Sequence, residues 1–233
     1  MNNLPTLRDC AIVAAAIALT GAAGNQTMPT FSHYSMSPKA EITLAQSAAP
    51  ASISNHATIM VLTAHGYAVA VKGRNGFTCL VERAFGQPNI PTFRNVKVQD
   101  PTCYNAAASR SVLLYTLKRA ALALSGATES QIEQTMSEAV ASQALPTAAP
   151  DSMAYMMSKA QYIDDNAKSW YPHLMFFMPQ ADAANVGESW GADRLRSPVV
   201  FDPHHMSNEP WARFFIPVSH WSDGSPAPLY SGT

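Results

Sequence analysis

Charged side chains are scarce in this chain: 13% of residues are Asp, Glu, Lys or Arg, and the formal net charge is −1. Lys and Arg are scattered along it, so there is no electrostatic footprint for a nucleic acid or an anionic membrane surface. Long apolar runs are missing too. The run Ala11–Leu19 is far shorter than the roughly 20 residues of a bilayer-spanning helix, and no integral membrane association is expected. Cysteine is sparse, with three in the chain, and no C-x-x-C, H-x-H or H-E-x-x-H spacing supports a metal site. Internal repeats and low-complexity tracts are absent. With 47% apolar residues, a disordered chain is excluded.

What is present first reads as an address. Residues 1–23 run in the order of a secretory signal: a polar start, the apolar stretch Ala11–Leu19, then the small residues of "TGAAG". Residues 24–38 are polar, carry Pro29 and Pro38, and read as a flexible mature N-terminus. Residues 39–233 have the length of one domain. Cys10 would leave with the leader, and Cys79 and Cys103 remain as an even pair suited to an oxidising compartment, periplasmic or secreted. A disulfide between them closes a loop of about two dozen residues and stabilises the fold by about 3–4 kcal/mol in the chain-entropy model; two buried free thiols are the alternative.

Periodicity supplies the elements. Lys39–Gln46, after Pro38, reads as a short helix, and Thr58–Leu62 as a strand. Tyr67–Val71 and Phe77–Val81 flank "KGRNG", whose Asn75-Gly76 supplies the positive-φ pair of a tight turn, and predict a β-hairpin. Between Ala84 and Cys103 three prolines argue for loop. Val112, Leu113, Leu117, Ala120, Ala121 and Leu124 recur at helical spacing, and Thr128 with Gln131 forms a capping-box pattern opening a second helix. Met153–Ser158 fits a strand or a helix start, and His173–Met178, Pro198–Phe201 and Arg213–Val218 read as short strands. The sum is an α+β fold, an antiparallel sheet with helices packed against it.

Three motifs carry chemistry on paper. Gly187-Glu188-Ser189-Trp190-Gly191 spells the G-x-S-x-G of many esterases, and Asp202 and His220 follow in the order a triad needs, with Asp223 as a second acid. That motif requires a strand running into the serine and a helix leaving it. Here Gln180–Val186 intervenes after the apolar run, and Pro198 stops any helix beyond. A surface loop anchored by a buried Trp190 is expected instead. Tyr155 and Lys159 form Y-x-x-x-K with Ser142 upstream, resembling the catalytic set of short-chain dehydrogenases, and "LTGAAG" mimics their glycine loop. Those glycines fall in the leader, however, and Ser142 ends a helical pattern, so no nicotinamide or other cofactor is expected. His204 and His205 beside Asp202, with His173 and His220, offer imidazoles, but adjacent histidines in extended chain point opposite ways, and no metal is expected. The aromatic residues Trp190, Phe201, Trp211, Phe214, Phe215 and Trp221 read as core, with a stacking groove for a sugar or other planar ligand as the alternative.

The segments "EITLAQSAAP", "GYAVAVKGRNGFTCLVER", "SMAYMMSK", "PHLMFFMP" and "HWSDG" together resemble an uncharacterised family of exported bacterial proteins of unknown function. The resemblance implies export and a single domain and brings no catalytic residue with it. The reading that follows is an exported binding module for an unknown small ligand or protein partner, and the competing one is an exported serine hydrolase using Ser189, His220 and Asp202.

Overall fold

The computed structural model describes residues 26–86, 93–193, 197–201 and 209–229; the leader and the segment from Asp202 to Asn208, with His204 and His205, lie outside them. Three short helices come first, α1 (Phe31–Tyr34), α2 (Pro38–Gln46) and α3 (Ala51–Ser54). Strands β1 (Thr58–Thr63), β2 (Gly66–Val71), β3 (Thr78–Glu82) and β4 (Asp100–Tyr104) follow. Helices α4 (Ala106–Ser109), α5 (Leu113–Leu124) and α6 (Glu129–Ala141) then lead to β5 (Met153–Met156), β6 (His173–Pro179), α7 (Ala183–Ser189), β7 (Val200–Phe201) and β8 (Trp211–Pro217). Among the described residues the strands form one sheet in the order β2-β1-β3-β4-β5-β6-β8-β7. Every neighbouring pair is antiparallel except β1 and β3, so the fold is the expected α+β arrangement.

The expected hairpin is re-paired. Tyr67–Val71 and Phe77–Val81 are not neighbours, because β1 lies between them: β2 pairs antiparallel with β1, and β3 pairs parallel on its other side. The chain reverses instead at Ala64-His65, with Gly66 at φ +115°. The connection through Asn75-Gly76 crosses over the start of β1, where Gly73 N donates to Thr58 Oγ1 and Arg74 N to the His56 carbonyl. A Cβ on Gly73 would stand 2.2 Å from Thr58 N, so only glycine permits that crossing. Burial explains the order. Residues 68–71 of β2 are exposed and suit an edge, whereas Cys79–Glu82 of β3 are buried on both faces and need neighbours on each side.

The stretch expected to be loop around Cys103 is β4, buried throughout and paired with β3 over its whole length. Pro101 hides it from sequence reading, since proline lacks the ladder N–H. The strand tolerates it because β5 pairs with β4 only at Cys103 and Tyr104, beyond the proline. Cys79 and Cys103 face each other in this register and are joined by a disulfide.

Alternation along the strands separates two layers. Leu80, Tyr104, Met175, Phe177 and Trp211 point to the face covered by α5 and α6. Their neighbours Cys79, Val81 and Cys103 point to the face covered by α2, and Phe214 packs with Val186 of α7 on that same side. The capping box at Thr128 and Gln131 forms as expected and starts α6, which buries Ile132 and Met136. The segment expected to be a flexible N-terminus is packed where it is described: Met28 and Tyr34 enter the core, and the Tyr34 ring meets Phe85 edge-on at 5.1 Å. Phe31 packs against the same core, and the Met28 N–H and the Tyr34 carbonyl bond to Ala127 and Arg83, so the stretch is docked by both apolar burial and hydrogen bonds.

Candidate functional site

The α5 face of the sheet carries a cluster that the apolar pattern conceals. Glu82 closes β3 and Asp100 opens β4, and the two are cross-strand partners. Both are buried, as is Glu209 just before β8. With Tyr104, Trp211 and Arg213 they line a cavity of about 30 Å³ between the sheet and α5. Tyr115 and Thr116 of α5 and Met175 and Phe177 of β6 are also among its walls.

Several of the polar groups are held by a neighbour on another element. The Tyr104 hydroxyl donates a short hydrogen bond to Glu82 Oε1. Arg119, on the buried face of α5, pairs with the Glu209 carboxylate and donates to the Gly86 carbonyl at 3.1 Å. A Cβ on Gly86 would lie 2.8 Å from Glu82 Oε2, so any larger residue there would push the Glu82 carboxyl aside. The ring of Tyr115 meets Trp211 edge-on at 4.1 Å, while its hydroxyl donates to the Pro146 carbonyl, so this wall is fixed at both ends.

The electrostatics follow from burial. Desolvation raises Asp100 to about 8, and the nearby Glu82 charge pushes the same way against the opposing Arg213 guanidinium. Glu82 is raised as well, mainly by desolvation, with the Tyr104 hydrogen bond working against it. Both shifts favour the protonated form of these two carboxyls. Among the described residues, no three His, Cys, Asp or Glu side chains are gathered closely enough to hold a metal ion. The site therefore offers carboxyl oxygens and aromatic walls.

The sequence-derived candidates lie elsewhere. Ser189 is the last residue of α7 and exposed; Trp190 caps the helix. A 3-10 turn at Gln180–Asp182 separates β6 from α7, and the N–H groups of Trp190, Gly191 and Ala192 close the helix on the Val186, Glu188 and Gly187 carbonyls, so the serine sits at a helix C-terminus, away from the free N–H donors of a helix start. The expected surface loop is thus helical through Ser189. Trp190 is 38% exposed rather than buried, although its ring leans on Phe214 at 5.3 Å and Phe176 at 6.1 Å. His220 is exposed, with Nδ1 2.9 Å from Ser219 Oγ. Asp202 lies outside the described residues. Asp223 accepts from Ser225 and pairs with Lys159 at 3.0 Å. Tyr155 is on β5 and Lys159 beyond its end, so the pair shares no helix.

His173, one of the imidazoles noted in the sequence, is held by the backbone. It starts β6, buried, with Nδ1 2.7 Å from the Tyr171 carbonyl and its ring 4.6 Å from Trp170. Burial lowers it to about 4, so it is neutral. The carboxyls of the cavity were missed because none of them belongs to a motif or has a partner at short spacing in the sequence. The available signal was Arg119: on α5 it shares the buried stripe with Leu113, Thr116, Ala120 and Ala123, and a buried cation demands a partner. No family model, curated protein or solved structure matches this chain.

Proposed function

We propose that the protein is an exported binding module whose ligand occupies the carboxyl-lined cavity beneath α5. The observation that carries the reading is the convergence of Glu82, Asp100 and Glu209, all buried, on one small cavity walled by Tyr104, Tyr115 and Trp211. Burying three carboxyls is unfavourable for stability alone, and few, converging polar groups set in an aromatic wall are the usual make-up of a ligand site. Export rests on the leader-like residues 1–23 and is supported by the Cys79–Cys103 disulfide. The resemblance to exported bacterial proteins points the same way.

The test is a thermal-shift screen of the mature protein against a library of small metabolites, repeated on Asp100→Asn. The expected result is at least one compound that raises the melting temperature of the wild type and not of the variant. A library without any such compound overturns the reading. Labelling of the folded protein by a fluorophosphonate, lost in Ser189→Ala, would replace it with the serine-hydrolase alternative.

A further inference from the structure

Far from the cavity, β2 stands at one end of the strand order, so the outer row of its backbone N–H and C=O groups meets no strand among the described residues. Ala68, Val69, Ala70 and Val71 are all exposed, which leaves that row open to solvent. An open edge is a template for another extended chain, and proteins ordinarily blunt it with prolines, charges or bulges. Between Gly66 and Val71 there is no proline and no charge. The one irregularity leaves Ala70 without a partner on the β1 side, while Gly66–Val69 keep regular register. Val69 is 53% exposed and Val71 39%, and these apolar side chains leave water only when something lies beside them.

The backbone sets the shape of an occupant: an extended segment hydrogen-bonded along β2. Charge narrows its chemistry. Lys72 and Arg74 follow the strand and His65 precedes it, whereas no Asp or Glu occurs between Ala51 and Val81. Lys72 and Arg74 are exposed, and neither forms an ion pair among the described residues. The Arg74 guanidinium lies 3.1 Å from His56 Nδ1, a contact that does not neutralise it. Helix α5, which meets β2 where Ala121 approaches Gly66, carries no acid either. On the helix covering the other face, Glu41 is buried against Arg83. A second copy paired through β2 would set two edges of the same sign side by side, which is unfavourable.

We infer that β2 is a docking edge for an extended, acidic segment of a partner protein. The segment adds a strand beside Val69 and Val71 and sets its carboxylates against Lys72 and Arg74. Main-chain hydrogen bonds supply the register, the valines supply apolar contact, and the two cations select the sign of the flanking residues. Because both cations are exposed, that selection is screened by salt. The inference stands apart from the cavity and from whatever the cavity holds.

The experiment uses a fluorescein-labelled synthetic peptide of alternating valine and threonine with a pair of glutamates at each end, titrated into the mature wild type by anisotropy. Versions flanked by glutamine and by lysine are the neutral and basic probes. The glutamate peptide should bind most tightly, more weakly as salt rises, and should slow hydrogen exchange at β2. Val69→Glu, a change at an exposed position, should keep the fold and abolish binding. Lys72→Glu with Arg74→Glu, a second variant should the first unfold, should weaken the glutamate peptide roughly fivefold, the size of one or two exposed ion pairs, and strengthen the lysine peptide. Equal binding of all three peptides overturns the acidic assignment, and binding without slowed exchange at β2 overturns strand addition. Binding that neither variant changes lies elsewhere on the surface and overturns the inference. So does a dimer in sedimentation that Val69→Glu disrupts, since the edge then belongs to a second copy, and so does the absence of binding by any peptide.

Discussion

At the scale of single residues, Asp100 and His173 are two buried titratable groups displaced in opposite directions by the same cause, loss of hydration. For Asp100 the folded value, about 8, lies above the ordinary carboxylate value of 3.8. The folded state holds a proton that the unfolded chain releases, so the group's contribution is complete below about pH 4 and is lost as pH rises to 8. Glu82, also raised, acts in the same sense. For His173 the folded value, about 4, lies below the ordinary 6.5. Its contribution is present above pH 6.5 and is lost as pH falls toward 4. The two slopes oppose each other between pH 4 and 6.5, and above 6.5 the carboxyls act alone. Urea unfolding is therefore expected to show wild-type stability declining from pH 6.5 to 8. Asp100→Asn should flatten that decline, and His173→Leu should flatten the acid side. A difference between Asp100→Asn and wild type that stays constant from pH 5 to 8 would sink the assignment to Asp100.

At the scale of elements, α2 shows how a charged pair can dock a helix. Glu41 and Arg83 are fully buried and meet at 3.0 Å. Glu41 Oε1 also accepts from Leu62 N of β1, while Arg83 donates to the Tyr34 and Val81 carbonyls. Four segments thus converge on one ion pair. Removing one partner strands the other charge, a change of about 3–5 kcal/mol in buried pairs. Glu41→Ala should destabilise the protein by about that amount in urea unfolding. The double variant Glu41→Leu with Arg83→Met should recover much of the loss, because an apolar pair of similar volume no longer buries a charge. Loss in the double variant equal to or greater than in the single one would refute this account.

The same scale shows what was legible in the sequence. Strands β1, β3, β6 and β8 and helices α2 and α6 could be read because one local signal dominated each: an apolar run, a proline start, or the Thr128–Gln131 capping box. Pairing was less legible. Asn75-Gly76 gave the local signature of a hairpin, but the two-sided burial of β3 is a tertiary demand that placed β1 between the flanking strands. Pro101 masked β4 for a local reason as well, although the strand has no β5 partner at that position. The buried stripe of α5 was read in part: Val112, Leu113 and Ala120 are buried, and Leu117 and Leu124 pack against the core. Ala121 was expected inside and is exposed, while Thr116 and Arg119 are buried. A search for apolar spacing turns away from a helix face that lines a polar cavity. For that reason the candidate site was almost wholly hidden, apart from Trp211 among the aromatic residues read as core or, alternatively, as a stacking groove.

At the scale of the whole molecule, the disulfide links the sequence-level expectation of export to the stability of the sheet. Cys79 and Cys103 are inaccessible, and their strands sit in the middle of the strand order, one parallel to β1 and the other paired with β5. The bond closes a loop of 24 residues, worth about 3–4 kcal/mol through the unfolded chain's lost entropy. Two consequences are separable. The sulfurs are reached only when the sheet opens, so a thiol reductant should leave the bond intact in native buffer and reduce it quickly in urea, read by alkylation and mass spectrometry. Replacing both cysteines by serine should lower unfolding stability by about that entropic amount plus the penalty of two buried hydroxyls, whereas replacing both by alanine avoids the hydroxyls. The alanine pair should therefore be the more stable of the two and still fold. Rapid reduction in native buffer would show that β3 and β4 open locally, and an alanine pair as stable as the wild type would show that the cross-link does not restrain the unfolded chain.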